Sequence, residues 1–346
     1  MPHDIPHSPR RGSVQTDRDS KSAVIIEAGW VVRRMTPNDP LYEAALQSAV
    51  VGTATQFLGS RHPAVSEFLS DVAEGPLRID LVFGAWCNEQ LAGSAVVVES
   101  PEGSGLVLIP CGAAAEEQLK GTRLALRSAV TAAWSGHLDL LEILVPPELT
   151  HLADALRFSG FRRLTELIYL SRSTELETPR ESTKLSRQGL NWVTYSDTAR
   201  ALFCEAVRLS YVQSLDCPEL TSIRTPEQAI ASHRATGIHD PDLWFVAMQA
   251  GKPVAVLLLS RMRRQAAVEI VYMGVAQDAR GTGVADALMI RALEAARSVS
   301  ATYLALAMDV RNTPARSFYS RWGFARVGAR CAWIATPDDK GVWDFA

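Results

Sequence analysis

The sequence predicts an α/β protein made of two tandem domains of one fold, each a mixed β-sheet flanked by helices. Three observations support this prediction: apolar patterns that repeat along the chain, strand-like and helix-like segments that alternate, and a polar linker between the halves. A chain of 346 residues also exceeds the usual size of one core, so two domains of about 150 residues each are expected.

The internal repeat begins with a tryptophan in each half. Trp30 and Trp192 stand 162 residues apart. The same shift aligns three alternating apolar residues in each half: Leu81, Phe83 and Ala85 with Leu243, Phe245 and Ala247. Because these matches keep their order and a nearly constant shift, they indicate a tandem duplication.

The domain boundaries follow from local composition. Residues 1–22 are polar and lack an apolar stretch, so we predict a disordered tail and no secretory signal there. The first domain is predicted over residues 23–172 and the second over residues 189–346. Residues 173–188 between them are polar and charged and include Pro179, which is typical of a linker.

The overall composition limits the class of protein. A formal net charge of −3 and a pI of about 6.2 favour neither a nucleic-acid nor a membrane partner. No apolar run reaches the roughly 18 residues that cross a bilayer. The five cysteines form no pair at metal-ligand spacing, so no metal site is predicted. These features together predict a cytoplasmic protein with free thiols.

Strand and helix patterns alternate in the second half. Alternating or continuous apolar residues predict strands over 191–195, 243–248, 253–262, 266–275 and 303–310. Apolar residues three or four apart predict helices over 198–211 and 284–298. A third helix is predicted to begin at Thr313-Pro314, with the threonine as its N-cap, and to end at Trp322.

A glycine-containing loop within 271–285 connects a predicted strand to a predicted helix. Gly281 and Gly283 allow a tight turn and close approach of the backbone to a ligand. The amides of residues 282–285 would then point outward at a helix N-terminus, which favours a phosphate, and Arg280 adds a positive charge. An ordinary glycine-rich connection is the alternative. The pattern is neither a Rossmann fingerprint nor a Walker loop, because it lacks their further glycine and lysine positions.

Two motifs stand in a fixed order in this half. The first is Arg280-x-x-Gly283-x-Ala285, after a strand, and the second is Asn312-x2-Ala315-x3-Tyr319-x3-Gly323-Phe324. They resemble the pyrophosphate loop and the second coenzyme-binding motif of the GNAT superfamily of N-acetyltransferases. The resemblance covers most of residues 188–346. Together with the repeat, it implies two tandem GNAT-like domains, each with a centrally splayed sheet.

The resemblance implies a binding site for acetyl-CoA, the acyl donor of that family. The pantetheine arm would lie between two parted central strands. Met273 and Val275 would offer backbone groups to the acyl carbonyl and the pantetheine, and Asn312 would lie along the pantetheine. The pyrophosphate would be held by a run of six residues: Arg280, Gly281, Thr282, Gly283, Val284 and Ala285.

The same resemblance implies two catalytic residues. Tyr319 matches the family's general acid, and a phenol with a pKa near 10 is protonated at neutral pH and able to protonate the departing thiolate. Glu269 interrupts an apolar strand where family members carry a base that deprotonates the attacking amine. The alternatives stay open: Tyr319 as a packing residue, and Glu269 as a solvated or ion-paired residue.

A polar stretch at 216–220 lies where the family builds its acceptor-binding wall. These residues would either contact the acceptor or serve as surface charges and helix caps, and the second interpretation is the more ordinary one. No sequence signal marks Cys217 as an activated thiolate, so we expect an inert thiol.

The first half lacks the motif residues. The repeat makes three pairings: Glu269 with Val107, Tyr319 with Leu156, and Gly283 with Arg123 when Gly121 is aligned with Gly281. We therefore predict a degenerate first domain that supports the second domain or shapes its acceptor cleft. One complete domain beside a degenerate one resembles the architecture of mycothiol synthases.

The sequence thus predicts an acetyl-CoA-dependent N-acetyltransferase whose C-terminal domain is active, with direct attack by an amine in a ternary complex. The expected partners are acetyl-CoA and an amine acceptor, and the expected state is a monomer or a homodimer. The alternative is a catalytically silent acyl-CoA-binding or scaffold protein. The identity of the amine and the acyl-chain length do not follow from the sequence.

Overall fold

The computed structural model describes residues 24–27, 29–42, 45–46, 49, 78–111, 115–177, 189–262 and 265–338. The tail predicted at 1–22 and the part of the predicted linker at 178–188 lie outside these residues.

Within the described residues, thirteen strands form one sheet. The strands of the first half are β1 Val24–Glu27, β2 Trp30–Met35, β3 Arg78–Cys87, β4 Gln90–Glu99, β5 Ser104–Leu108, β6 Leu140–Val145 and β7 Arg162–Ser173. Those of the second half are β8 Asn191–Thr194, β9 Ile238–Gln249, β10 Lys252–Arg261, β11 Ala267–Val275, β12 Tyr303–Asp309 and β13 Ala325–Ala335. The same part of the chain contains six α-helices with described bounds: α1 Glu116–Ser135, α2 Ala153–Phe158, α3 Arg200–Tyr211, α4 Pro226–Ala235, α5 Val284–Ser298 and α6 Thr313–Arg321.

Helices cover both faces of the sheet in the second half, and β10 shows how. Leu257 and Leu259 are buried in the same cluster as Leu288 of α5. Val256 and Leu258 are buried in the cluster that contains Phe203 of α3. Since successive side chains of a strand point to opposite faces, α5 and α3 pack on opposite sides. Each such large apolar side chain contributes about 1.5–3 kcal/mol by leaving water.

The N-cap of α6 differs from the prediction. The helix begins at Thr313, but the capping residue is Asn312, whose side-chain oxygen accepts a hydrogen bond from the amide of Ala315 at 3.2 Å. Asparagine is at least as favourable an N-cap as threonine. With the cap at Asn312, Pro314 lies in the first turn of the helix, where a backbone N–H would have no intrahelical acceptor and its absence loses no hydrogen bond.

The last strands of the two halves are exchanged. Along the sheet the order is β6, β13, β7, β12, so that β7 lies between β12 and β13. β13 in turn pairs with β6 and with β7, antiparallel to both. Each half therefore completes its sheet with a strand from the other half, a feature that the sequence did not predict. A fragment of residues 189–346 would lack β7 and leave two interior strand edges unpaired.

Candidate functional site

A cleft opens in the second half where two parallel strands part. β11 and β12 pair only from Ala267 to Ile270 and from Tyr303 to Leu306. Immediately afterwards β11 has a bulge, because Leu258 of β10 pairs with Tyr272 and the next residue, Leu259, pairs with Ile270. The extra residue bends the strand away from its neighbour. The resulting cleft has a volume of about 350 Å³, and the splayed sheet is confirmed.

Six of the predicted site residues line this cleft, and they come from four different segments: Met273, Val275, Arg280, Ala285, Asn312 and Tyr319. The end of α3 and the segment that follows it, from Ser210 to Asp216, form the opposite wall. Glu269 is not among the lining residues. It lies in the paired part of β11, opposite Ala305 of β12.

The glycine loop has the backbone that the sequence predicts. Gly281 and Gly283 have φ angles of 78° and 89°, which side-chain-bearing residues rarely adopt, and Gly283 is the N-cap of α5. A Cβ at Gly281 would meet no atom within 4 Å, so the space beside the loop is open. Thr282 donates its hydroxyl to the carbonyl of Ala279 at 2.7 Å, and Val284 is buried. What this loop offers a ligand is therefore its backbone amides and the positive end of α5.

The side chain of Arg280 is engaged within the protein. Its guanidinium donates to the carbonyls of Val275, Ser210, Val212 and Gln213 at 2.7–3.2 Å. The last carbonyls of a helix lack intrahelical donors, and arginine supplies five N–H groups in a fixed fork. Arg280 thus ties the glycine loop to the end of α3. The sequence analysis placed a free positive charge here and missed this anchoring role.

Tyr319 lies on α6 with only 7% of its surface exposed. Its ring contacts Phe318 and Phe324 at centroid distances of 5.3 and 5.4 Å. Burial, followed by the negative charge of Asp216, raises the pKa of the Tyr319 phenol well above its ordinary value. The phenol therefore carries its proton across the physiological range and is available as a proton donor.

An aspartate joins the two motif helices. Asp286 of α5 accepts a hydrogen bond from the indole nitrogen of Trp322 at 2.8 Å. It also forms an ion pair with Arg321 at 3.0 Å. Its position in the first turn of α5 also complements the helix dipole. The sequence analysis gave Asp286 no role. Its spacing within one helix could not reveal a partner 36 residues away.

Glu269 is surrounded by protein, which raises the pKa of its carboxyl group. The charge of Glu269 also affects Tyr169 on the exchanged strand β7. Burial raises the pKa of Tyr169 to about 12; the positive charge of Arg330 on β13 lowers this pKa, and the negative charge of Glu269 raises it. The candidate base therefore lies within electrostatic reach of a side chain on the exchanged strand β7. Sequence periodicity could not detect this neighbour.

A buried acidic network closes the far end of the cleft. Asp309, fully buried at the end of β12, accepts hydrogen bonds from the Thr165 hydroxyl at 2.7 Å, the Cys217 amide at 3.2 Å and the Arg311 guanidinium at 2.7 Å. Burial alone would raise the pKa of Asp309, but these donors outweigh it and the pKa is lowered. Arg311 also holds Glu219 in a two-point contact at 2.7 and 2.9 Å.

This network corrects the interpretation of the 216–220 stretch as surface charges and caps. Glu219 and the backbone of Cys217 are fastened to the end of β12, and Asp216 accepts the amide of Asp309 at 2.8 Å. Burial raises the pKa of the Cys217 thiol far above its ordinary value, so that it stays protonated. An inert cysteine is consistent with this environment.

The first half has a helix where the second half has its loop. Gly121, aligned with Gly281 in the sequence analysis, lies inside α1, and that alignment is wrong in structural terms. A Cβ at Gly93 of β4 would collide with the backbone of Thr122, so glycine is needed here to let the helix touch the strand. Arg123 is consequently a helical residue and does not occupy a phosphate loop.

Two general features concern the described part of the chain. In that part, no group of three or more His, Cys, Asp and Glu side chains is arranged to hold a metal ion. None of its helices is long and apolar enough to cross a membrane.

Comparison with known proteins identifies the fold. Residues 209–324 match the model of the acetyltransferase (GNAT) family, whereas no curated protein matches the chain. A GCN5-related N-acetyltransferase from Sphaerobacter thermophilus is similar with a TM-score of 0.62 and 15% identity, over 90% of this chain and 97% of that one.

Two further solved structures are similar. One is a glucosamine N-acetyltransferase region of a fungal β-N-acetylglucosaminidase, with a TM-score of 0.61 and 15% identity over 89% of this chain and 38% of that one. The other is a tandem GNAT protein from the clavulanic acid biosynthesis pathway, with a TM-score of 0.54 and 13% identity over 89% of this chain and 98% of that one. The TM-scores of these three structures show a shared fold, and one of the three is described as a tandem GNAT protein.

Proposed function

From the match of residues 209–324 to the GNAT acetyltransferase family model, we propose that the protein transfers an acetyl group from acetyl-CoA to an amine. The active site is the cleft between β11 and β12. The observation that carries the proposal is the convergence in one cleft of six residues chosen from the sequence alone. They lie where the bulge of β11 opens the sheet.

The binding part of the proposal uses backbone groups. The amides of the glycine loop and the N-terminus of α5 would hold the pyrophosphate, because they present unpaired N–H groups and a positive dipole end. The parted ends of β11 and β12 would take the pantetheine. Arg280 positions the loop against α3 through its four carbonyl contacts.

The chemical part requires one proton donor and one proton acceptor. The amine must lose a proton before its nitrogen attacks the thioester carbonyl, since an alkyl ammonium has a pKa near 10. When the carbon–sulfur bond breaks, the sulfur takes the electron pair, and Tyr319 supplies the proton that yields the free thiol. The second proton of the attacking nitrogen then passes to the Tyr319 oxygen, which leaves the amide and the neutral phenol. Glu269, whose raised pKa reflects its burial, is the acceptor that the family resemblance implies.

In this proposal the first half has a supporting role. It supplies β7 to the sheet of the catalytic domain, and Thr165 on that strand holds Asp309 beside the cleft. The likeness to mycothiol synthases stays a prediction, since none of the similar structures bears on it.

The test is release of free CoA by the full chain from acetyl-CoA, with glucosamine, spermidine, L-lysine and an alanyl peptide as acceptors. We expect Tyr319→Phe to lower kcat by about 100-fold with unchanged affinity for CoA, because the phenyl ring keeps the packing and loses the proton. Tyr303→Phe is the matched control, since Tyr303 is exposed at the start of β12.

Two results would decide against the proposal. Tight binding of CoA without turnover of any acceptor would favour the silent acyl-CoA-binding protein. An equal loss of kcat in the Tyr319 and Tyr303 variants would remove Tyr319 from the chemistry.

A further inference from the structure

The cleft contains a carboxylate that the proposed mechanism does not use. Of the described residues that line the cleft, Asp216 alone carries a carboxyl group. Tyr319 lines the same cleft, and the charge of Asp216 reaches its phenol. Glu269, the base implied by the family resemblance, lies behind the point where the strands part.

The carboxylate of Asp216 is held in a fixed position. One of its oxygens accepts the backbone amide of Asp309 at 2.8 Å, and the side chain of Asn312 forms a hydrogen bond to the carboxylate. Its own amide donates to the hydroxyl of Ser214 at 3.2 Å. The residue is nevertheless exposed to solvent through the cleft. A carboxylate that is fixed and still reachable can contact a bound molecule.

The cations around Asp216 are engaged elsewhere. Arg311 binds Asp309 and Glu219, and Arg280 donates to four backbone carbonyls. The remaining titratable neighbours are acids, a thiol or phenols: Asp309, Cys217, Tyr272 and Tyr319. A cation arriving in the cleft would find an anion without a strong partner of its own.

We propose that Asp216 binds the ammonium group of the acceptor and takes its proton, so that the acceptor is an amine that enters as a cation. This inference rests on the proposed function, with Asp216 in place of Glu269 as the proton acceptor. One proton passes from the ammonium nitrogen to Asp216, and the free amine forms a bond to the thioester carbon. The sulfur leaves with the electron pair and receives the proton of Tyr319, whose oxygen then takes the second nitrogen proton.

The amine's surroundings fit this role. Tyr211 of α3 and Tyr272 of β11 both line the cleft, with their ring centroids 6.0 Å apart and their planes nearly perpendicular. Aromatic faces attract ammonium groups when water is excluded. Ser210 accepts or donates a hydrogen bond to the Tyr272 hydroxyl at 2.7 Å, which fixes that ring.

The test uses two CoA derivatives and needs no knowledge of the natural acceptor. S-(2-aminoethyl)-CoA carries an ammonium two carbons from the sulfur, close to the place of an attacking amine, and S-propyl-CoA is its uncharged counterpart. Calorimetry with the full chain at pH 7.5 measures both affinities. We expect the wild type to bind the aminoethyl compound at least tenfold more tightly, as a charge-assisted hydrogen bond requires.

Two matched variants assign that preference to one carboxylate. Asp216→Asn keeps the shape and the acceptor for the Asp309 amide, and it should bind both compounds equally. Glu269→Gln should keep the preference. Thermal unfolding of each variant checks its fold, and Asp216→Ser replaces the asparagine variant if that one is unfolded.

Each outcome has one meaning. A wild type that binds neither compound overturns the proposed function together with this inference. A wild type that binds both equally overturns only the role of Asp216 and leaves the proposed function standing. A preference that survives in the Asp216 variant, or that disappears in Glu269→Gln alone, also overturns it.

Discussion

The two halves of the molecule share one fold but differ at the place where a ligand would enter. In the first half, β4 pairs with β5 from Val96 to Glu99 without a shift in register. In the second half, the equivalent pair of β10 and β11 contains the bulge beside Tyr272. The parallel strands β5 and β6 pair only from Ser104 to Leu106, so the central strands part in both halves. The bulge in β11 is what distinguishes the second half.

The helices that follow these strands differ in the same sense. α1 begins at Glu116 and packs Gly121 directly onto β4, while α5 begins only after the glycine loop. In the first half Val107, Ile143 and Val145 fill the space between the strand ends and are at most 3% exposed. Burying such side chains stabilises a fold by about 1.5–3 kcal/mol each. The second half forgoes this packing and keeps a cleft.

The largest effect is expected from closing the loop of the second half. Gly281→Arg would place a side chain where the backbone must approach a phosphate, and we expect affinity for CoA to fall at least 100-fold, about 2.7 kcal/mol. Gly251→Arg is the matched control, since Gly251 has a similar φ of 76° and equally open surroundings in the turn between β9 and β10.

Calorimetry with CoA compares these two variants with the wild type. A stoichiometry of one CoA per chain is expected in the wild type and in Gly251→Arg, because only the second half has the loop. If the wild type bound two CoA molecules per chain and Gly281→Arg still bound one, the first half would also bind CoA. The proposed difference between the two halves would then be incorrect.

An intermediate effect is expected from cutting the link between the halves at Asp309. Asp309→Asn keeps the shape of the side chain but removes the charge that Arg311 and Thr165 bind. We expect the free energy of unfolding to fall by about 2–3 kcal/mol, the usual cost of losing hydrogen bonds to a buried charge. Urea denaturation at pH 7 measures it.

Thr165→Val provides the comparison for that experiment. It removes one neutral donor from the same carboxylate, and we expect a loss of about 1 kcal/mol. Equal losses in the two variants would show that the charge of Asp309 contributes little, and that β7 is joined to the second half by its strand pairing alone.

The sequence predicted what depends on local patterns. The glycine loop, α5 and the strand β11 follow from spacing within a few residues, and the structure places them as expected. The cap of α6 was misplaced by one residue, because asparagine and threonine are both good caps and only the hydrogen bond to Ala315 distinguishes them.

What the sequence could not predict depends on distant partners. In the structure β7 lies between β12 and β13, and β13 lies between β6 and β7. The alternation of apolar residues along a strand does not indicate which strand lies beside it, so the exchange of β7 and β13 could not be predicted. Arg280 resembled a phosphate ligand because its carbonyl partners at 210, 212 and 213 lie far away in sequence. Asp216 was placed among surface charges for the same reason, since its anchor is the amide of Asp309.

The smallest effect concerns Glu269, which pairs with Ser260 of β10, whereas the equivalent residue of β4, Val98, pairs with the apolar Leu106. Burial raises the folded-state pKa of Glu269 above 4.5, so the folded chain binds that proton more tightly than the unfolded chain does. Stability is therefore lost as the pH rises from the unfolded-state pKa to the folded-state pKa of Glu269.

Glu269→Gln, which has no charge to bury, should raise Tm by about 1–3 °C at pH 8. The difference should vanish near pH 4, where the carboxyl is protonated in both states, and thermal unfolding at both pH values measures it. A higher Tm of equal size at pH 4 and pH 8 would mean that packing is responsible, and a lower Tm at pH 8 would mean that the carboxylate has a partner that stabilises its charge.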